Sequence, residues 1–342
     1  MPKESYPGRP GIALSLPGAG DGAAAEPLPA RRAGSPRARR ARGETRGCAP
    51  RAAPPYLPLL QMLKKEKTMS LFCCPNCMAP LSRQQNRMVC PTGHSFDMAR
   101  SGYVNLLLSQ QISQKHHGDD KRMVRARSAF LAGGYYDPMR QELIRQAMVE
   151  ARPCMTVLDA GCGEGYYTAE LVRRLRESGY APQAAGIDIS KAALQEAARR
   201  EAGTEWAVAS CFHLPVAAQS VDLLLSVFAP YCGEEFRRVL KPRGRLLMVI
   251  PLENHLYGLK EAIYEKPYRN TVKPFELEGF TLVQKQELRY AITLTSREEI
   301  QNLFMMTPYY YKTGAADQQK LALRERLTTP VEFAVLCYQR TG

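Results

Sequence analysis

Between Met155 and Ile250 the chain alternates short, mostly apolar runs with longer stretches whose apolar residues recur at helical spacing. The runs are Met155–Asp159, Ala184–Ile187, Trp206–Ala209, Val221–Ser226 and Arg245–Ile250. Runs of that length without polar alternation read as strands buried on both faces, as in a parallel sheet. A helix is predicted from Tyr166 to Arg176, directly after a Gly-rich turn. Strand, Gly-rich turn and helix open a doubly wound α/β fold. Leu240–Gly244 reads as the turn before the fifth strand, and Arg289–Thr295 and Phe333–Tyr338 as an antiparallel edge. Upstream, Met139, Leu143, Ile144, Ala147, Met148 and Ala151 form one helical stripe, with Asp137 as N-cap and Pro138 at N1.

No such periodicity runs through residues 1–68, which hold 11 of the 25 prolines, 12 alanines and 9 arginines. Bulky apolar side chains are too few there to offset the entropy of ordering, so disorder is predicted. A basic RNA-binding arm or a transit-like peptide would fit the composition. A start placed too far upstream fits better: Lys64-Lys65-Glu66-Lys67 is encoded by purines alone, as a ribosome-binding site would be, and we expect synthesis to begin at Met69. The tail also reshapes the charge. Of the net +14, residues 1–68 supply +8, from 13 basic and 5 acidic side chains. The remainder is mildly basic, which permits a phosphate-bearing partner without requiring one. There is no run of 18 apolar residues and no secretory h-region, so no membrane association is expected. Ten cysteines are too dilute for a disulfide scaffold, and the four between residues 73 and 90 point to metal chemistry in a reducing, cytoplasmic setting.

That cluster reads Cys74-Pro75-Asn76-Cys77, twelve residues, then Cys90-Pro91-Thr92-Gly93-His94. Thiolate and imidazole ligands at C-x2-C and C-x3-H spacing suit tetrahedral Zn²⁺, and Met78–Val89 is long enough for two short strands. Four ligands close the coordination, so the metal is read as structural. Cys73 with Cys77 would also be allowed, but the repeated Cys-Pro favours Cys74. Downstream, Lys115, His116, His117, Lys121, Arg122, Arg125 and Arg127 fall within thirteen residues, either a solvated helix face or a phosphate-contacting surface.

The Gly-rich turn Ala160-Gly161-Cys162-Gly163-Glu164-Gly165 has the spacing G-x-G-x-G. It lacks both the G-x-G-x-x-G of dinucleotide enzymes and the G-x-x-x-x-G-K-[ST] of P-loop NTPases. Asp188, at the tip of the second strand, can accept both ribose hydroxyls. An acid for ribose without a pyrophosphate cradle suggests an adenosine cofactor of another kind. Val157-Leu158-Asp159-Ala160-Gly161-Cys162-Gly163-Glu164-Gly165 resembles motif I of class I S-adenosylmethionine-dependent methyltransferases. Asp159, Gly161, Gly163 and Gly165 match that motif, Asp188 matches the family's ribose acid, and Ser210 ends the third strand where the adenine edge lies. Phe228-Ala229-Pro230-Tyr231 occupies the loop that faces the methyl acceptor in such folds.

The whole pattern is more specific. Phe72–Leu107, Ala126-Arg127 with Phe130-Leu131 and Gly134-Tyr135-Tyr136, Asp159–Thr168 and Met306-Thr307-Pro308 closely resemble the 23S rRNA guanine-N1 methyltransferases. The resemblance covers 69–342 and none of 1–68. It implies a class I Rossmann-like doubly wound sheet (153–342) behind a zinc-binding ribbon (69–108) and a basic linker and helix (109–152). It implies zinc on Cys74, Cys77, Cys90 and His94. It also implies S-adenosylmethionine contacts at Tyr136, at Gly163, Glu164, Gly165, Tyr166, Tyr167 and Thr168, at Asp188 and at His255. The implied substrate is a hairpin loop of domain II of 23S rRNA, methylated at guanine 745 in one subgroup and guanine 748 in its sister, which can lower macrolide sensitivity; a homodimer is implied too. His117-Gly118-Asp119-Asp120-Lys121 looks closer to the sister subgroup. Where Gram-negative relatives carry Trp after Met-Thr-Pro, this chain has Tyr309-Tyr310-Tyr311.

Methylation at N1 requires that guanine lose its N1 proton and leave its stack. No residue identifies itself as the base. Tyr309–Tyr311 or Phe228 and Tyr231 are expected to stack on the extruded base, and Lys121–Arg127 to grip the RNA backbone. Two rival readings remain at this level: a small-molecule methyltransferase, which has no need of a zinc ribbon, and a non-catalytic zinc RNA-binding protein, which would show decayed glycines.

Overall fold

The computed structural model describes residues 69–108 and 118–342. The predicted tail and Lys115, His116 and His117 lie outside these residues. Three short strands come first, β1 (Ser82–Gln84), β2 (Arg87–Val89) and β3 (Ser95–Asp97), paired antiparallel in that order. The large sheet uses β4 (Tyr103–Asn105), β5 (Thr156–Ala160), β6 (Gln183–Asp188), β7 (Glu205–Val208), β8 (Val221–Val227), β9 (Leu240–Pro251), β10 (Phe280–Leu294) and β11 (Leu327–Arg340). Its order is β10-β11-β9-β8-β5-β6-β7-β4. β4 through β9 are mutually parallel where they pair, while β11 runs antiparallel to both β9 and β10.

Every residue of β5 and β8 is buried, as their largely apolar runs without polar alternation suggest. Alternate residues feed two cores. Val157, Leu223, Leu225, Leu247 and Val249 face one side; Leu158, Leu224, Leu246 and Met248 face the other. The helices are α1 (Lys121–Ala132), α2 (Asp137–Val149), α3 (Tyr166–Glu177), α4 (Lys191–Arg200), α5 (Gly233–Val239), α6 (Tyr257–Ile263), α7 (Arg297–Met305) and α8 (Ala315–Ala322). From β5 the chain winds outward through β6 and β7, then crosses back to β8 and β9 on the other side of β5. That reversal opens a crevice beyond the carboxyl ends of β5 and β8.

Two local expectations are corrected. The N-cap of α2 is Tyr136, and Asp137 and Pro138 are its first two helical residues. The Asp137 carboxylate is turned away to accept from the Tyr166 hydroxyl at 2.9 Å and to pair with Arg140. The turn expected at Leu240–Gly244 is an irregularity inside β9: Arg243 has φ 62°, and pairing with β8 jumps from Val221↔Leu240 to Leu223↔Arg245. The late strands pair antiparallel at the edge as expected, but over a range well beyond the two predicted segments.

The ribbon is tied to the large sheet: β4 extends that sheet, with Tyr103↔Trp206 and Asn105↔Val208 in parallel register. Phe72 bridges Val216, and the Leu71 N–H donates to the Glu205 carboxylate at 3.0 Å. Leu71, Phe72, Leu81, Met88, Val104 and Leu106 share one buried cluster with Ala185, Ile187, Ala207 and Val216. A ribbon this small buries too little apolar surface alone, so it borrows the edge of the sheet.

Candidate active site and metal centre

The ribbon's two turns bring the sulfurs of Cys74, Cys77 and Cys90 and a ring nitrogen of His94 within 4.8 Å of one another. Each turn is shaped by its backbone. Met78 N–H donates to Cys74 O at 2.7 Å; Gly93, at φ 92°, donates to Cys90 O at 3.0 Å. Cys77 Sγ lies 3.8 Å from Cys90 Sγ, and Cys90 Sγ 3.4 Å from His94 Nδ1. Tetrahedral zinc with bonds of about 2.0–2.3 Å needs ligand–ligand edges of roughly 3.5–3.8 Å, so the four residues fit the ion. The Cys90 thiol is pushed up by burial but brought down, on balance, to about 6 by hydrogen bonds from Thr92, His94 and the backbone. Cys73 stands apart, its N–H bonded to Pro215 O at 2.7 Å. Three thiols and an imidazole leave no position open, which defines a structural zinc site.

At the carboxyl ends of β5, β6, β8 and β9 lies a cavity of about 600 Å³. Its charged residues are Asp119, Arg127, Asp159, Glu164 and Asp188. Asp188 is preorganised by two backbone donors, Gly163 N–H at 2.9 Å and Ser190 N–H at 2.8 Å. Burial pushes its carboxyl up, and those two bonds oppose the push. Asp159 accepts from the Thr168 hydroxyl through one oxygen, and its other oxygen is buried without a partner. Burial, aided by the charge of Asp188, drives its pKa up to about 7. Glu164 binds Arg127 Nε at 2.7 Å, and its second oxygen is likewise unpartnered. Buried orphan acceptors are costly unless a ligand satisfies them. Two of them beside Asp188 fit the ammonium N–H donors of S-adenosylmethionine, and their negative charge suits its sulfonium.

The glycines show why the turn must be bare. At Gly161, with φ 88°, an added Cβ would stand 2.5 Å from Ala229 Cβ, so the β5–α3 turn and the loop after β8 touch there. Gly165, with φ 71°, would meet the Trp206 ring at 2.8 Å and Ala197 at 3.1 Å. Gly165→Ala is therefore expected to destabilise the fold by about 2–4 kcal/mol, read from urea midpoints; an unchanged midpoint would contradict this packing.

Of the sequence-predicted cofactor residues, Tyr136, Asp159, Gly161, Gly163, Glu164, Tyr166, Tyr167, Asp188 and His255 line the cavity. Three do not. Gly165 is turned against Trp206, Thr168 stands behind Asp159, and the Ser210 hydroxyl is engaged by the Phe212 N–H at 3.2 Å. Of the acceptor-side candidates, Phe228 and Tyr309 line the cavity. Tyr231 packs edge-on against Phe236, Tyr310 against Phe304, and the exposed Tyr311 donates to Asp120 at 3.2 Å. Phe228 holds φ 54°, an uncommon conformation for an aromatic residue, and stays 44% exposed, so its ring remains available at the cavity.

Arg127 is the main residue misread from sequence. It does not reach out as a phosphate grip: it is clamped between Asp119 at 2.5 Å and Glu164 at 2.7 Å in the cavity wall. Its position was legible in principle, since it follows Met123 by four residues and precedes Phe130 and Leu131 on the buried face of α1. Lys121, Arg122 and Arg125 do point to solvent.

A glycine-lined crevice at the switch point of this sheet, with a ribose-type acid and orphan carboxylate oxygens, defines an S-adenosylmethionine-dependent methyltransferase. Comparison with known proteins agrees. A zinc-ribbon family model described as "RlmA, N-terminal" matches residues 72–115, and a methyltransferase-domain model matches 152–302. A Bacillus subtilis protein provisionally assigned as a 23S rRNA (guanine-N(1)-)-methyltransferase is 31% identical over 257 residues, 72% of this chain and 89% of the relative. A Micromonospora griseorubida protein with the same provisional assignment is 39% identical over 212 residues, 56% of this chain and 68% of its own. A 23S rRNA (guanine(748)-N(1))-methyltransferase of Streptomyces fradiae is 37% identical over 195 residues, 56% of this chain and 66% of the relative. The chain belongs to the 23S rRNA (guanine-N1-)-methyltransferase family.

Proposed function

We propose that this protein methylates N1 of guanine 748 in the domain II hairpin loop of 23S rRNA. The observation that carries the reading is the two-sided cavity: an acidic, glycine-lined half continues into a wall of Phe228, Tyr309, Tyr136 and His255. S-adenosylmethionine, when bound, supplies an activated methyl group. Asp188 would hold its ribose, Asp159 and Glu164 its cationic amino-acid end, and Tyr136 and His255 would border it. Phe228 and Tyr309 would stack on the extruded guanine. The exposed Lys121, Arg122 and Arg125 would meet RNA phosphates beside the zinc ribbon. The position is taken from the S. fradiae relative and from Gly118-Asp119-Asp120-Lys121. An effect on macrolide sensitivity, a homodimer and a cytoplasmic location belong to the same reading. No helix among the described residues is long and apolar enough to cross a membrane.

The test is incubation of zinc-loaded protein with labelled S-adenosylmethionine and unmodified 23S rRNA, followed by nucleoside analysis and primer extension. N1-methylguanosine and a new stop at 748 are expected, because the methyl group blocks base pairing. A stop at 745 would move the protein to the sister subgroup, and no N1-methylguanosine would refute the proposal.

A further inference from the structure

The cavity is electrically lopsided. Its acids, Asp119, Asp159, Glu164 and Asp188, all belong to the cofactor half. The acceptor wall, built from Tyr136, Phe228, His255, Thr307 and Tyr309, contains no carboxylate among the described residues. Behind that wall sits Lys260 on α6, fully buried. Its Nζ donates to Asn270 Oδ1 at 2.6 Å and Tyr268 O at 3.0 Å, and lies 5.2 Å from the Tyr309 ring centre. Among the described residues it has no carboxylate partner within ion-pair distance, which is unusual for a buried cation.

Asn270 links this charge to the wall. Its Nδ2 donates to Leu252 O at 2.8 Å and His255 O at 3.3 Å, and its Oδ1 also accepts from the Tyr309 hydroxyl at 3.4 Å. His255 cannot serve as the base. Its Nδ1 accepts the Glu332 N–H at 3.3 Å, and burial together with the Lys260 charge lowers its pKa to about 3. Its Nε2 faces the Tyr136 hydroxyl at 3.3 Å. The groups around Lys260 are thus Tyr264 and Tyr268 after α6, Asn270, His255 before α6, Tyr309, and Glu332 of β11 beyond His255. Burial alone pulls the Lys260 amine below its ordinary range.

We infer that Lys260 is a positioning residue of the methyl-transfer step: through Asn270, Tyr309 and His255 it makes the acceptor wall cationic and free of a base, so that guanine reacts as its N1 anion. The N1–H bond breaks and its proton goes to water. The electron pair left on N1 forms the bond to the methyl carbon, and the carbon–sulfur pair returns to sulfur. The anion and the sulfonium charge cancel, giving neutral N1-methylguanine and a neutral thioether. A nearby cation favours the anionic form of an acid, which is what this step requires in the absence of a side-chain base.

The inference rests on the guanine-N1 reading, which nucleoside analysis of the wild-type product tests separately. Single-turnover rates of the zinc-loaded chain on the RNA hairpin are to be measured from about pH 6 to about pH 9.5. The rate should rise with pH and level off. Lys260→Met should move that rising limb up by about one pH unit, while Lys260→Arg leaves it in place. Asn270→Asp, which sets a carboxylate against Nζ, should move it in the same direction and carries the test should Lys260→Met not fold. A readout without turnover is calorimetry of hairpin binding to the S-adenosylhomocysteine complex in buffers of different ionisation enthalpy. Wild type should release protons on binding and Lys260→Met should not. A lower rate with an unmoved limb and unchanged proton release would reduce Lys260 to a structural residue and overturn the inference.

Discussion

Asp188→Ala should weaken S-adenosylmethionine binding at least about 100-fold, to the edge of detection by calorimetry. Hydrogen bonds to a charged acceptor contribute about 1.5–3 kcal/mol each, and the carboxylate is placed to accept two from a ribose. It also receives the Gly163 and Ser190 N–H groups, so its removal loosens the glycine turn as well. Asp188→Asn keeps the shape and should fall between. Affinity retained in the alanine variant would mean that the crevice is not the cofactor site. Removing this charge should also lower the pKa of Asp159, because Asp188 helps to raise it. In the wild type Asp159 is raised to about 7. The stability that its protonated form contributes is present below the ordinary aspartate range of about 4 and lost as pH rises through about 7. A cationic ligand prefers the ionised form, so S-adenosylmethionine affinity should climb as pH rises towards 7 and then level off. Affinity falling over that range would contradict the assignment.

Removing zinc should destabilise the whole described fold. Structural zinc in small domains contributes about 10–16 kcal/mol to folding, far more than a ribbon of this size can replace by packing. Here Cys74 and Cys90 are themselves members of the cluster that includes Ile187, Ala207 and Val216. Chelation, or Cys90→Ser, should therefore lower the melting temperature by about 10 °C or more, in a single transition seen both in the far ultraviolet and in Trp206 fluorescence. Two independent transitions, with Trp206 unaffected, would show that the ribbon is energetically separate after all.

Features set by backbone need were readable from the chain. Gly161 is required by its near contact with Ala229, and Asp188 by its place at the tip of β6. The zinc ligands were readable because their spacing is itself the geometry of two tight turns. What failed depends on partners far away in sequence. β4 is three residues long, too short to show a period, and its partner lies about a hundred residues on. Tyr231, Tyr310 and Tyr311 look like Phe228 and Tyr309 in one dimension; only packing against Phe236 and Phe304, and the reach of Tyr311 to Asp120, removes them from the cavity. Lys260 carries no local signal, because nothing near it in sequence announces that Asn270 will meet it, and the spacing that sets Arg127 on the buried face of α1 does not reveal Glu164 as its partner.

The borrowed edge has a consequence for synthesis. Residues 69–108 leave the ribosome well before Glu205–Val208 exist, so the hairpin and its thiols must wait with β4 unpaired. Capturing a metal ion early would shield that waiting segment from misassociation, while closing so long a loop makes this pairing among the slower steps of maturation.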